Sequence, residues 1–138
     1  MRISGISIFM IAAITMLGCQ FQIPESQTVV RHGMVYEKGD DDPFTGVVVG
    51  RARDGYRAQV LSYSKQYKDG LLDGTSKYWY PNGKLESVEP YTKGKINGWV
   101  IRYYDNGQMK ARIPMKDGMR SGVAGELFWD RNGKLIKG

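Results

Sequence analysis

The chain has 138 residues, carries 20 Lys and Arg against 14 Asp and Glu for a net charge of +6, and is 41% hydrophobic. That length suffices for one domain, and with one Cys and one His it can form neither an internal disulfide nor a Cys/His metal site. The moderate basic excess does not by itself choose among anionic lipid, an acidic protein and nucleic acid.

At the amino terminus, Met1-Arg2 supplies one positive charge, residues 6–17 are apolar, and Gly18-Cys19 follow. The stretch is too short to span a hydrocarbon core, which needs about 20 residues, so residues 1–18 read as a lipoprotein signal peptide. A lone cysteine directly after a small residue resembles a bacterial lipobox, which makes Cys19 the candidate lipidation site and the membrane a partner through its N-terminal lipid. Met16 and Leu17 depart from the usual residues of that motif. Gln20, in place of Asp, resembles the sorting position of outer-membrane lipoproteins. The expected address is therefore the cell envelope, on the periplasmic face of the outer membrane where the source has two membranes, and it argues against nucleic acid as a partner. Removing residues 1–18 leaves 120 residues and takes away Arg2, so the charge becomes 19 minus 14, or +5. Residues 19–28 are expected to be the lipidated cysteine and a linker.

Residues 29–138 are organised by a repeat. The string Tyr67-Lys68-Asp69-Gly70-x-x-x-Gly74 returns as Tyr91-Thr92-Lys93-Gly94-x-x-x-Gly98 and as Met115-Lys116-Asp117-Gly118-x-x-x-Gly122, 24 residues apart. Asn82-Gly83, Asn106-Gly107 and Asn132-Gly133 follow in each copy, the last two residues late. The delay places one added residue within Val123-Ala124-Gly125 and one at Arg131. Leu61 to Tyr67 matches Leu85 to Tyr91 in length, so a divergent unit precedes the three. The units span about 33–66, 67–90, 91–114 and 115–138.

A repeat this short cannot fold alone and must stack on its neighbours. Its Gly and Asn pairs accept the positive φ that tight hairpins demand, so each marks a chain reversal. Segments of strand length rich in Tyr, Trp, Val and Ile lie between them, which predicts β-strands. Leu85, Ser87, Glu89 and Tyr91 alternate against Glu86, Val88 and Pro90, and Met109, Ala111, Ile113 and Met115 against Lys110, Arg112 and Pro114. The first strands carry aromatics on both faces. The predicted fold is all-β, an elongated single-layer antiparallel meander of hairpin repeats. Its turns lie at Gly70, Gly74, Asn82, Gly83, Gly94, Gly98, Asn106, Gly107, Gly118, Gly122, Asn132 and Gly133.

Candidate chemistry is sparse. His32 reads as a polar residue entering the first strand, and Asp40, Asp41 and Asp42 lack the alternate spacing of a calcium loop and read as a solvated turn before Pro43. The repeated glycines lead into strands with no Gly-Lys-Ser/Thr, which argues against a phosphate loop. No catalytic set, cofactor, metal site or small-molecule substrate is expected. The aromatic pairs Trp79-Tyr80, Tyr103-Tyr104 and Phe128-Trp129 precede the Asn-Gly turns. If Tyr80, Tyr104 and Trp129 form an exposed row beside Arg102, those four residues are the candidate partner-binding surface.

The repeated string, followed by two aromatics and Asn-Gly-Lys-Leu, is similar to the variant MORN repeat of bacterial proteins of the YwqK antitoxin type. Val35 to Gly39 and Pro43-Phe44-Thr45-Gly46 resemble that family's opening, and the likeness covers residues 34–138. Residues 47–60 are longer than a standard unit and the last strand is cut to Leu135-Ile136-Lys137-Gly138. The resemblance implies a non-enzymatic meander that binds a protein partner, in some members as antitoxin or immunity partner of a secreted toxin. The alternative expectation is a structural envelope lipoprotein that contacts anionic lipid headgroups or cell wall through its basic surface.

Overall fold

The computed structural model describes residues 21–52, 60–122 and 125–138; the signal peptide and Cys19 lie outside them. Among the described residues the chain is almost wholly β. Its first strands are β1 (Gln22–Pro24), β2 (Thr28–Arg31), β3 (Met34–Glu37), β4 (Gly46–Ala52) and β5 (Val60–Lys68), with a 3-10 turn at Glu25–Gln27. The repeats continue as β6 (Leu71–Leu72), β7 (Gly74–Trp79), β8 (Leu85–Thr92), β9 (Lys95–Ile96) and β10 (Gly98–Tyr103). The last are β11 (Met109–Lys116), β12 (Met119–Arg120), β13 (Leu127–Trp129) and β14 (Leu135–Lys137).

One sheet runs in the order β1-β4-β5-β7-β8-β10-β11-β13-β14, with β6, β9 and β12 folding back on β5, β8 and β11; β2 and β3 form a separate hairpin. Apart from the parallel β1–β4 pair, neighbours in the sheet are antiparallel. Four stacked hairpins result: β4–β5, β7–β8, β10–β11 and β13–β14. The meander and its four units are thus as the repeat predicted.

The two kinds of turn differ in physics. At Asp69-Gly70, Lys93-Gly94 and Asp117-Gly118 both residues have positive φ (49° and 78°, 47° and 80°, 52° and 84°). Two-residue hairpins of the primed type require this. At the Asn-Gly turns only the glycine enters the left-handed region, at 81°, 93° and 84°. There the Gly83 N–H donates to the Tyr80 carbonyl (2.8 Å) and the Tyr80 N–H to the Lys84 carbonyl (2.9 Å). The asparagines serve through their side chains instead. His32, expected to enter a strand, is in the β2–β3 turn with φ 50° beside Gly33 at 77°.

Both edges of the sheet are laced from unit to unit. Along the Asn-Gly edge, the Asn82 amide donates to the Asp105 carbonyl and the Asn106 amide to the Arg131 carbonyl, each at 2.9 Å. Each asparagine also accepts from the backbone two residues on, at Lys84 and Gln108. Along the opposite edge the N–H groups of Gly70, Gly94 and Gly118 donate to the carbonyls of Phe44, Leu72 and Ile96 (2.9, 2.7 and 2.9 Å). Beside them the N–H groups of Asp69, Lys93 and Asp117 donate to the side chains of Thr45, Asp73 and Asn97. The residue before each repeat's second glycine is therefore an acceptor for the next turn, a role that sequence reasoning missed.

The ladder corrects two placements. Asp130 closes the last turn as Tyr80 and Tyr104 close theirs, since the Gly133 N–H donates to Asp130 and the Asp130 N–H to the Lys134 carbonyl. Arg131 is then the counterpart of Pro81 and Asp105, not an insertion. Both added residues lie upstream, between Gly122 and β13, a stretch that includes 123–124 outside the described residues. Residues 21–28, expected as linker, instead contain β1 and the 3-10 turn. Ile23 is 3% exposed against Phe44 and Val48, burial that holds the segment to the sheet. The expected irregularity of 47–60 begins late, because β4 is regular strand to Ala52 apart from a bulge at Gly50 and Arg51, and 53–59 are outside the described residues.

Cross-strand pairing assigns the faces. Val48, Tyr63, Lys65, Tyr67, Ser76, Tyr78, Ser87, Glu89, Tyr91, Val100, Arg102, Ala111, Ile113 and Phe128 share what we call the inner face. The core occupies its two ends: Ile23, Phe44 and Val48 with Val35 and Tyr67, and Val100, Ala111 and Ile113 with Ile96, Met115 and Phe128. Burying such side chains contributes about 1.5–3 kcal/mol each.

Gly74 and Gly122 test the turn geometry. Both have positive φ (102° and 105°), but a Cβ on Gly74 would meet Gln66 Oε1 at 2.1 Å while one on Gly122 meets open space. Gly122→Ala is expected to lose about 1 kcal/mol from backbone strain alone and Gly74→Ala clearly more, read as the difference in urea unfolding midpoints.

Candidate functional site

The middle of the inner face forms a groove of about 270 Å³ lined by Tyr78, Tyr80, Glu86, Ser87, Glu89, Arg102, Tyr103 and Lys110. Four adjacent strands position these groups, with Tyr78 in β7 and Tyr80 just after it. Glu86, Ser87 and Glu89 come from β8, Arg102 and Tyr103 from β10, and Lys110 from β11. Glu86 and Lys110 are the extra residues of two equivalent register shifts, where Trp79 pairs with Leu85 and Tyr103 with Met109. A bulge of this kind re-aims a side chain out of strict alternation, which brings both into the groove. Acid thus lines one strand and base the next two, about 5 Å per step across the sheet.

Of the four candidate residues, Tyr80 and Arg102 line the groove. Tyr104 is its neighbour, with Lys110 5.4 Å and Arg131 5.0 Å from its ring centre. Tyr80 and Tyr104 are half-buried, and their hydroxyls donate to the carbonyls of Tyr103 (2.8 Å) and Trp129 (2.9 Å) in the next unit. Trp129 is not in their row. It pairs with Leu135 as Trp79 pairs with Leu85 and Tyr103 with Met109, so the row of Tyr80 and Tyr104 ends in Asp130. The misplacement followed from treating Arg131 as an added residue. Glu86 and Lys110 were not singled out by sequence reasoning, because nothing in strand alternation announces a bulge; Glu89 follows the alternation but its charge was not read as part of a site.

The charges of the groove are largely unpaired. Among the described residues Arg102 and Lys110 form no ion pair; the pairs present are Arg31–Asp41, Arg120–Glu126 and Arg131–Asp105 at 3.5, 3.7 and 2.6 Å. The Arg131 guanidinium holds the exposed Asp105 carboxyl below its ordinary range. In and beside the groove, Tyr91 donates to Glu89 (3.0 Å), and the ring centres of Tyr63 and Tyr78 are 6.3 Å apart. Lys65 lies over both the Tyr63 and Tyr78 rings. No group of three or more His, Cys, Asp or Glu among the described residues could hold a metal ion. His32 and Asp40–Asp42 are exposed and far in the chain from the groove. A second hollow on the Asp-Gly edge is lined by Lys68, Asp69, Leu71, Asp73 and Lys93.

Comparison with known families follows the same units. Residues 72–93 and 97–117 each match the family described as MORN repeat variant. Those two units are similar to MORN repeats. The matched stretches are the two central units, β6–β8 with its turn and β10–β11 with its turn, and the groove lies across them. The first and last hairpins fall outside the match, the first with a 28-residue spacing from Gly46 to Gly74 and the last with the two added residues. No curated protein and no solved structure matches the chain.

The tyrosines make the sheet's stability sensitive to alkali. Burial pushes Tyr67, Tyr78 and Tyr80 above the ordinary 10.0, and for Tyr63 and Tyr91 burial is reinforced by Glu25 and Glu89 respectively. Above pH 10.0 the unfolded chain releases protons that the folded chain keeps, so stability is full below that value and falls as pH rises past it. Urea melts from neutral to alkaline pH are expected to show this fall, with a shallower slope in Tyr91→Phe. A stability unchanged above pH 10.0 would contradict the buried tyrosine network.

Proposed function

We propose that this MORN-repeat chain is a non-catalytic, membrane-anchored scaffold whose inner-face groove binds a partner protein. Immunity toward a toxin is the form of that role which the antitoxin resemblance favours. The observation that carries the reading is the groove itself: two cations without ion pairs among the described residues, Arg102 and Lys110, stand beside Tyr78, Tyr80 and Tyr103 on a scaffold fixed at both edges. Tyrosine and arginine supply large contact area and fixed hydrogen-bond geometry, and they dominate the energetics of protein interfaces. Arg102 and Lys110 would receive carboxylates of the partner while Glu86 and Glu89 select for a cation next to them. A lipid on Cys19 would supply the anchor, and the residues 1–18 that lead to it would direct the chain to the envelope.

The headgroup-binding alternative draws on the basic excess and on Lys68 and Lys93 in the edge hollow. Asp69 and Asp73 in that same hollow offset them, which leaves the groove as the better-supported site.

Co-expression with the products of adjacent genes tests the proposal. A partner is expected to co-purify and to lose tenfold or more in affinity toward Arg102→Glu/Lys110→Glu, with the melting temperature unchanged because both residues are exposed. If no neighbouring product co-purifies or is toxic, the immunity reading fails. In the native host Cys19→Ala should take up no palmitate label; continued labelling would sink the anchor.

A further inference from the structure

The fold begins almost at the proposed anchor. The Val47 N–H donates to the Phe21 carbonyl (2.8 Å), and from Gln22 onward β1 pairs with β4. Only Gln20 stands between Cys19 and the first residue held by the sheet. At 3.3–3.6 Å per residue, covalent geometry keeps the Cys19 Cα within about 7 Å of that of Phe21. A lipid at Cys19 would therefore have no spacer, and one end of the sheet would meet the bilayer.

That end is apolar on one side. Phe21 is 61% exposed, with its ring centre 6.2 Å from that of buried Phe44. The Phe44 N–H donates to the Val35 carbonyl (2.9 Å), and Val35 packs against the cluster of Ile23, Phe44 and Val48. Val30 lies opposite Val35 in the β2–β3 hairpin and is 66% exposed. Phe21, Phe44, Val35 and Val30 thus form one chain of apolar neighbours that begins at the residue after Gln20 and ends on the exposed Val30. The acidic triad belongs to the other side of the hairpin. There Arg31 lies over Tyr36 (4.0 Å) and pairs with Asp41.

We infer that Phe21 and Val30 form a membrane-contact surface that seats in the bilayer interface beside the acyl chains of Cys19. The inference rests on the lipid attachment proposed above. Once the acyl chains hold the domain at the bilayer, contact by two further apolar side chains is an intramolecular event and needs little area of its own. The seat also fixes the height of the groove, so the partner within reach is one in the membrane-proximal layer.

The test uses the full chain, expressed in a bacterium that acylates lipoproteins and reconstituted into phosphatidylethanolamine and phosphatidylglycerol vesicles. An environment-sensitive NBD dye is placed at Val30→Cys and, as a control on the opposite edge of the sheet, at Lys134→Cys. The expected result is emission at shorter wavelength and quenching by spin-labelled lipid at position 30 only, both reduced when Phe21→Ser is added. Two watery dyes on a protein whose Cys19 is acylated by mass spectrometry would overturn the contact while leaving the anchor intact. Absence of the acyl chains would overturn the anchor, and this inference with it.

Discussion

Everything in this structure depends on the hydrogen bonds by which each turn is held by the turn beside it. A single-layer sheet has no second layer to satisfy its edges, and a turn displays backbone groups on both sides. The asparagines of one edge and the Thr45, Asp73 and Asn97 acceptors of the other meet those groups unit by unit. This fixes the 24-residue pitch, since an added residue between the two edges would break one ladder or the other. Longer spacings fall outside the two central units, in the 28 residues from Gly46 to Gly74 and in the two residues added between Gly122 and β13. The faces of the strands, in contrast, are free to vary.

A ladder must also end without inviting another strand. The last turn has Asp130 where earlier ones have Tyr80 and Tyr104. Its carboxylate accepts from the N–H groups of Asn132 and Lys134, so the turn satisfies itself rather than a following unit. The strand β14 is three residues long, preceded by Lys134 and ending in Lys137, features that discourage edge pairing although Leu135 and Ile136 are exposed. At the other end β1 runs parallel to β4, against the sense of the meander, and covers the first unit with Ile23. Both terminal hairpins thus depart from the pattern of the two central units.

These departures explain what was legible in the sequence. The turns were, because a left-handed backbone demands glycine at Gly70, Gly83 and their counterparts whatever surrounds them. The alternation of β8 and β11 was, because one face is buried. Arg131 was misread because the spacing from aromatic to Asn-Gly was taken as fixed, when the fixed quantity is the hydrogen-bond closure from Asp130 to Gly133. Trp129 was misplaced in consequence. Residues 21–28 looked like a linker because a three-residue strand with one buried side chain, Ile23, carries no periodicity. The groove was half visible: Tyr80 and Arg102 stand out by type, whereas Glu86 and Lys110 enter through register shifts that only the paired backbone reveals.

The inner face shows why the groove lies where it does. Apolar clusters close its two ends, one anchored by Ile23 and Phe44 and the other by Val100 and Ile113. The middle cannot be closed that way, because no helix or second sheet lies over it among the described residues. Long side chains take over, with Tyr63, Tyr78 and Tyr91 lying on the strands and Lys65 across two of their rings, apolar bodies against the sheet and polar ends toward water. Such a cover costs little to displace at its rim, where Arg102 and Lys110 have no ionic partner among the described residues, and more at its centre, where the tyrosines are held by burial and Tyr91 by its bond to Glu89. A partner is therefore expected to engage the rim over β8, β10 and β11 and to leave the tyrosine network in place, which is where the two most regular units of the repeat meet.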